Sequence, residues 1–172
     1  PKAVGTIYRM LQLIDDLFTK HEIPYWIDGG TVLGMLRHGG LIPWDDDADL
    51  GYFVEYHDAI ASLKEEFASY GYYLEFTDIF RLYPLESAGY PFIDIGAYKE
   101  YPDHTFRFAH ELGYKAFPNF YWLKEELSSF ERAPFGPVTV NTPNYLLRYV
   151  FTGYGRKCMT EATFQTHHRG PT

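Results

Sequence analysis

The sequence predicts a mixed α/β domain, with helices flanking a largely antiparallel or mixed sheet. Three observations carry this. Hydrophobic periodicity runs helix, strand, helix, strand, helix, then a meander of strands, then helices, without the regular alternation of a doubly wound fold. The chain has 172 residues, which at ~150 residues per domain reads as one unit over 1–162 with a loose tail at 163–172. Hydrophobic residues make up 46% and charged residues 22%, ordinary globular usage that excludes a wholly disordered chain.

The elements follow in order. Val4, Ile7, Leu11, Ile14 and Phe18 recur at helical spacing, so a first amphipathic helix covers 3–21. Pro24 ends it, and 25–27 reads as a short strand. Asp28-Gly29-Gly30-Thr31 makes a tight turn into a second helix reaching Arg37. His38-Gly39-Gly40 is a loop, and 48–54 is a strand. Ile60, Leu63, Phe67 and Tyr70 mark one further helix, stopped by Gly71. Three strands follow at 72–76, 80–85 and 92–98, the last two joined by a turn at 86–89. The stretch 100–125 is aromatic and mixed in pattern, with a helical reading for 121–130. Pro134 and Pro137 place a loop before a short strand at 138–140. Thr142-Pro143 reads as cap and first position of a last helix that stops near Gly153.

Composition excludes several function classes. The 15 basic and 23 acidic residues give a net charge of −8, which lacks the electrostatic footprint of a nucleic-acid binder. No run approaches the ~18 apolar residues that span a bilayer. The single Cys158 excludes an internal disulfide and any multi-cysteine zinc site. One cysteine and no signal segment suit the cytoplasm. Aromatic residues reach 19%, including 16 Tyr and 14 Phe.

The most informative run is Pro43-Trp44-Asp45-Asp46-Asp47-Ala48-Asp49-Leu50. Four carboxylates this close repel one another, and a solvated acidic turn has no reason to sit between a Trp and an apolar strand. Asp47 and Asp49 are two apart, so on a strand both point to one face. Two carboxylates on one face chelate a hard divalent cation, Mg²⁺ or Mn²⁺. An EF-hand fails: counted from Asp45, the sixth position is Leu50 and the twelfth Tyr56. An Asp-x-Asp glycosyltransferase and a nucleotidyltransferase-type site remain. The latter adds a Gly-rich turn entering a helix and a third acid on a neighbouring strand. Gly29-Gly30-Thr31 supplies the turn, whose N–H groups and helix N-terminus suit phosphate. Phe92-Ile93-Asp94-Ile95 supplies the acid, unusual because Asp is depleted in strands.

These residues resemble a known family. Tyr25-Trp26-Ile27-Asp28-Gly29-Gly30-Thr31-Val32-Leu33-Gly34 and the run from Arg37-His38-Gly39-Gly40 through Asp49 are similar to the LicD family. That family includes bacterial phosphocholine transferases, fukutin and the fukutin-related protein. Phe92-Ile93-Asp94-Ile95 resembles its acidic strand. Phe135-Gly136-Pro137-Val138, Pro143, Leu146-Leu147 and Tyr154-Gly155 resemble its C-terminal signature. The segment 100–130 matches nothing, and the chain is short for the family. The resemblance implies a nucleotidyltransferase fold. It also implies transfer of a phosphorylated group, such as phosphocholine or a polyol or sugar phosphate, from a CDP-choline-like donor to a glycan hydroxyl. The eukaryotic relatives work in the Golgi lumen, so a domain excised from a longer, membrane-anchored protein is the alternative to a cytoplasmic one.

On this reading Asp47 and Asp49 bind metal. Asp94 holds a second metal or takes the acceptor's proton. Gly29, Gly30 and Thr31 cradle the donor phosphates; Arg37 and His38 contact the diphosphate, with Lys99 as a further candidate. Asp45 and Asp46 assist from behind the ligands. Tyr83, Tyr90, Tyr98 and Tyr101 are candidates for an aromatic cage around choline. The competing class is a non-catalytic nucleotide- or glycan-binding relative.

Overall fold

The computed structural model describes residues 2–161; the tail expected at 163–172 lies outside them. Helix α1 (Lys2–Lys20) buries Ile7, Met10, Leu11, Ile14, Leu17 and Phe18, the i, i+3, i+4 stripe that the spacing predicts. Strand β1 (Trp26–Ile27) leads through Asp28 into α2 (Gly29–His38), which Gly39 ends in a left-handed conformation. Strand β2 (Asp47–Phe53) follows, then a single 3₁₀ turn and two short helices, α3 (His57–Ala61) and α4 (Lys64–Ser69). Strands β3 (Tyr72–Phe76), β4 (Phe80–Pro84), β5 (Phe92–Glu100) and β6 (Thr105–Phe108) form the meander. Then come α5 (Glu111–Ala116), β7 (Trp122–Leu123), the hairpin β8 (Glu131–Phe135) and β9 (Val138–Thr142), and α6 (Leu146–Tyr154).

The described strands form a mixed seven-stranded sheet along the path β1-β2-β5-β4-β3, with β6 on β5 and β7 on β6; β8–β9 pair separately. The β2–β5 pair is parallel and the remaining pairs are antiparallel. This is the mixed α/β architecture that the element order predicts. The parallel pair needs a long crossover, which α3, α4 and the β3–β4 hairpin provide. Trp26 lies over β2 at Gly51, where an added Cβ would come within 2.5 Å of the indole. A side chain there would force β1 off the sheet.

Four expectations change. The single helix over 60–70 is two helices, because Leu63 N–H bonds back only three residues to Ile60 O and the Ser62 hydroxyl bonds Ala59 O. The helical reading of 121–130 gives way to β7 and a 3₁₀ turn at Lys124–Leu127. There Trp122 pairs with Phe106 on β6, and the Glu126 carboxylate accepts from Leu123 N–H at 2.7 Å. Pro134 sits inside β8 rather than in a loop, opposite Thr139. β8 pairs with β9 alone, so its outer side needs no donor. Thr142 is the last residue of β9, and α6 starts only at Leu146, after Tyr145 takes a left-handed φ of 59°.

Candidate active site

Asp47 and Asp49 stand two apart on β2, and the parallel register puts Asp49 opposite Asp94 on β5. Neighbours in register share a face of the sheet. One carboxylate oxygen from each of Asp47, Asp49 and Asp94 lies within 4.8 Å of the other two, and all three residues are half-buried. Burial pushes the Asp49 carboxyl well up, helped by the charges of Asp47, Asp94, Asp28 and Asp45. A cluster that disfavours its own ionisation calls for a cation. An all-oxygen carboxylate set suits a hard ion. The residues present therefore fit a divalent metal.

The Gly-rich turn abuts this triad. Gly29 has φ +50°, and a Cβ on it would stand 3.0 Å from Asp49 Oδ2. Both the conformation and the gap call for glycine. Gly29 N–H donates to the Tyr149 hydroxyl at 3.1 Å, whereas no described residue takes the Gly30 N–H. Thr31 is 2% exposed, and its hydroxyl accepts from Asp49 N–H at 2.8 Å. It braces the strand that carries the acids. Asp28 N–H donates to Asp49 O at 3.0 Å, completing a tie between turn and strand.

Beneath the turn lies a buried knot that the sequence reading missed. The Asp28 carboxylate is 3% exposed. It accepts from the Tyr98 hydroxyl, from Trp122 Nε1 at 3.0 Å and from the Tyr149 hydroxyl at 3.1 Å. Burial raises the Asp28 carboxyl above the ordinary range, and these donors partly offset that. Burial raises the Tyr98 and Tyr149 hydroxyls in turn, and Asp28 adds to it. Tyr154, at the end of α6, comes against Gly30; burial raises its hydroxyl, and Asp49 adds to the shift. Arg81, also missed, forks onto Asp94, Nε to Oδ1 at 2.7 Å and Nη2 to Oδ2 at 3.2 Å. An Arg in a strand carries no signal until the register of β4 on β5 is known.

Lys99 is not brought to the triad, and Arg37 and His38 lie away from the glycine turn. Lys99 lies five residues beyond Asp94, about 16 Å along the strand at ~3.3 Å per residue, over the Tyr101 ring. Arg37 and His38 are at the far end of α2 from the glycine turn, about 10 Å away at ~1.5 Å per residue. Arg37 stands near Cys158, whose thiol burial raises and Arg37 partly lowers; His38 meets the half-exposed Trp44 edge-on. The four candidate cage tyrosines are dispersed. Tyr83 packs on Tyr73 and Tyr101 on Tyr114, Tyr98 belongs to the Asp28 knot, and Tyr90 is exposed.

A triad of acids across two parallel strands, faced by a glycine turn and a helix N-terminus, defines a nucleotidyltransferase-like fold. A solved structure agrees: the lincosamide antibiotic adenylyltransferase LnuA superposes with a TM-score of 0.53 at 19% identity, covering 88% of this chain and 92% of that one. The family model described as "LicD/FKTN/FKRP, nucleotidyltransferase domain" matches residues 22–145, and the chain belongs to that family. The uncharacterized protein RT0683 of Rickettsia typhi is 31% identical over 142 residues, 83% of this chain but 43% of that protein. The lipopolysaccharide cholinephosphotransferase LicD of Haemophilus influenzae is 44% identical over 41 residues, 24% of this chain and 16% of its own length. The chain thus spans less than half the length of the curated relatives it matches. No helix among the described residues is long and apolar enough to cross a membrane.

Proposed function

We propose that residues 1–162 form the catalytic domain of a metal-dependent transferase. It moves a substituted phosphate, phosphocholine or a polyol or sugar phosphate, from a nucleoside diphosphate donor to a glycan hydroxyl. The observation that carries this is the placement of Asp47, Asp49 and Asp94 on adjacent parallel strands, directly against the Gly29–Gly30 turn. The named activity of the Haemophilus relative supports phosphocholine as one of these groups.

In this reaction the acceptor hydroxyl oxygen bonds to the phosphorus bearing the transferred group. The bond from that phosphorus to the nucleoside monophosphate breaks, and the hydroxyl proton leaves to a carboxylate or to water. Transfer of this kind depends mainly on positioning and charge neutralisation. Asp47, Asp49 and Asp94 hold Mg²⁺ or Mn²⁺, which would neutralise phosphate charge and polarise the reacting oxygens. The Gly30 N–H, at the start of α2, is placed to receive a phosphate oxygen. Thr31 and Asp28 keep Asp49 in register with the turn. Arg81 engages both oxygens of Asp94, which favours an orienting and ligating role for this carboxylate over proton uptake.

Calorimetry with CDP-choline, CDP-ribitol and GDP-mannose, with and without Mg²⁺, tests the reading. One CDP-linked donor should bind, and only with metal. Asp94→Asn should lower transfer by roughly two orders of magnitude or more. An Asp-x-Asp glycosyltransferase would leave Asp94→Asn near wild type and would bind the GDP-sugar.

A further inference from the structure

Arg81 is tied down on two sides and open on a third. β4 and β5 run antiparallel with Arg81 directly opposite Asp94, so the pair is set by backbone register as well as by charge. One edge of the guanidinium, Nε and Nη2, forks onto the two Asp94 oxygens. Its face lies on the Phe92 ring, 3.9 Å from guanidinium carbon to ring centroid. Edge and face contacts together fix the plane of the group. A guanidinium carries five N–H donors, and the fork uses two. Among the described residues no hydrogen-bond partner takes the other edge, formed by Nη1 and the second Nη2 hydrogen. The side chain is 39% exposed beside a 19% exposed Asp94, so part of the group reaches solvent; on its β3 side Glu75 stands in register and adds an attractive charge.

We propose that Arg81 is a phosphate-binding residue of the donor subsite, its open edge gripping an oxygen of the diphosphate while its other edge stays on Asp94. This rests on the transferase reading of the triad given above. The electrostatic need is plain. A diphosphate must approach Asp45, Asp46, Asp47, Asp49 and Asp94 in a chain of net charge −8. A fixed cation at the mouth of that cluster lowers the repulsion before and after metal binds. Arg suits the position and Lys does not, because a planar fork engages two anions at once in defined directions. A merely structural ion pair of this exposure would stabilise the fold only slightly and leave ligand binding alone.

The test is titration calorimetry on wild type, Arg81→Gln and Arg81→Lys, with Mn²⁺ alone and with CDP, UDP or GDP in saturating Mn²⁺. Arg81→Gln should keep its Mn²⁺ affinity within about threefold while losing roughly tenfold or more in diphosphate affinity. Arg81→Lys, with charge but no fork, should fall between. Unchanged diphosphate affinity in Arg81→Gln overturns the proposal. So does a parallel loss of Mn²⁺ and diphosphate affinity, which would mean that Arg81 acts only through Asp94. Should Arg81→Gln fail to fold by circular dichroism, Arg81→Lys decides: weaker diphosphate binding with Mn²⁺ binding retained supports the proposal, and unchanged binding overturns it. A wild-type protein that binds none of the three diphosphates with Mn²⁺ overturns the transferase reading itself, and this inference with it.

Discussion

Asp47, Asp49 and Asp94 were legible in the sequence because each breaks a local rule. Carboxylates are depleted in strands and repel one another when clustered, so their presence in apolar runs asks for a chemical reason. The repulsion has a measurable consequence. Metal binds the folded site preferentially, so Mg²⁺ or Mn²⁺ at ~100 times its dissociation constant should add about 2.7 kcal/mol. That is a rise of several degrees in melting temperature for a chain of this length. Asp47→Asn combined with Asp49→Asn should abolish the metal-dependent rise and leave the metal-free protein as stable as wild type or more so, since two like charges are gone. A differential scanning experiment with chelator and with each ion reads both effects. Unmoved wild-type curves in both ions would count against the metal site. Arg81, Asp28 and Tyr149 were not legible in the same way. Their roles depend on pairings across 13, 70 and 121 residues of chain, and no local pattern encodes them.

At the scale of elements, the first half of the chain reads well because each element carries its own start and stop. α1 has its apolar stripe and Pro24, and α2 has its glycine turn and Gly39. From residue 100 onward several local signals mislead, although the short strand expected at 138–140 lies within β9 (Val138–Thr142). Glu126 stands in what reads as a helix, yet it is 1% exposed and accepts from Arg148 Nε at 2.9 Å and Nη2 at 2.6 Å. A contact from α6 thus shapes the 3₁₀ turn, where propensity alone favours a helix. The β8–β9 hairpin is likewise held from outside. Arg132 on β8 reaches Asp15 on α1, Nη1 to Oδ1 at 2.5 Å and Nη2 to Oδ2 at 2.9 Å, and Tyr25 donates to the same carboxylate. Asp15 is buried while Arg132 is about half exposed. Asp15→Ala therefore leaves the Tyr25 hydroxyl without its buried acceptor but lets Arg132 turn to water. The expected loss is about 1–3 kcal/mol, below the ~3–5 kcal/mol of a fully buried pair. Urea denaturation should show it as a lower midpoint with an unchanged slope. Arg132→Ala strands the buried Asp15 carboxylate with only the Tyr25 hydroxyl and should cost at least as much as Asp15→Ala. A clearly smaller cost would mean that the buried hydroxyl, not the half-exposed charge, makes the link.

Across the whole molecule, one residue joins the site to the rest of the fold. Asp28 sits between β1 and α2, and its three side-chain donors come from β5, β7 and α6. The carboxylate thus fastens the segments that the sequence reads poorly to the turn that it reads best. Asp28→Ala leaves the Tyr98, Trp122 and Tyr149 donors buried without their acceptor, at ~1–3 kcal/mol each. That sum approaches the whole net stability of a domain, ~5–15 kcal/mol, so a cooperative melting transition should be lost or shifted down steeply. Asp28→Asn keeps one acceptor oxygen and should be milder, which makes it the variant for pH work. The folded Asp28 carboxyl is raised, chiefly by burial, so the native state holds this proton more tightly than the unfolded chain. Its contribution to stability is fully present below the ordinary carboxylate range and is lost as pH rises through the folded value. In chelator, wild-type stability should fall with rising pH across that window, and Asp28→Asn should show a shallower fall. Some slope persists in the variant, because burial and its acidic neighbours raise Asp49 in the same direction. Denaturation midpoints taken from acid to neutral pH on both proteins decide it. Parallel curves would mean that Asp28 folds as a carboxylate no more protonated than in the unfolded chain, with the three donors outweighing burial.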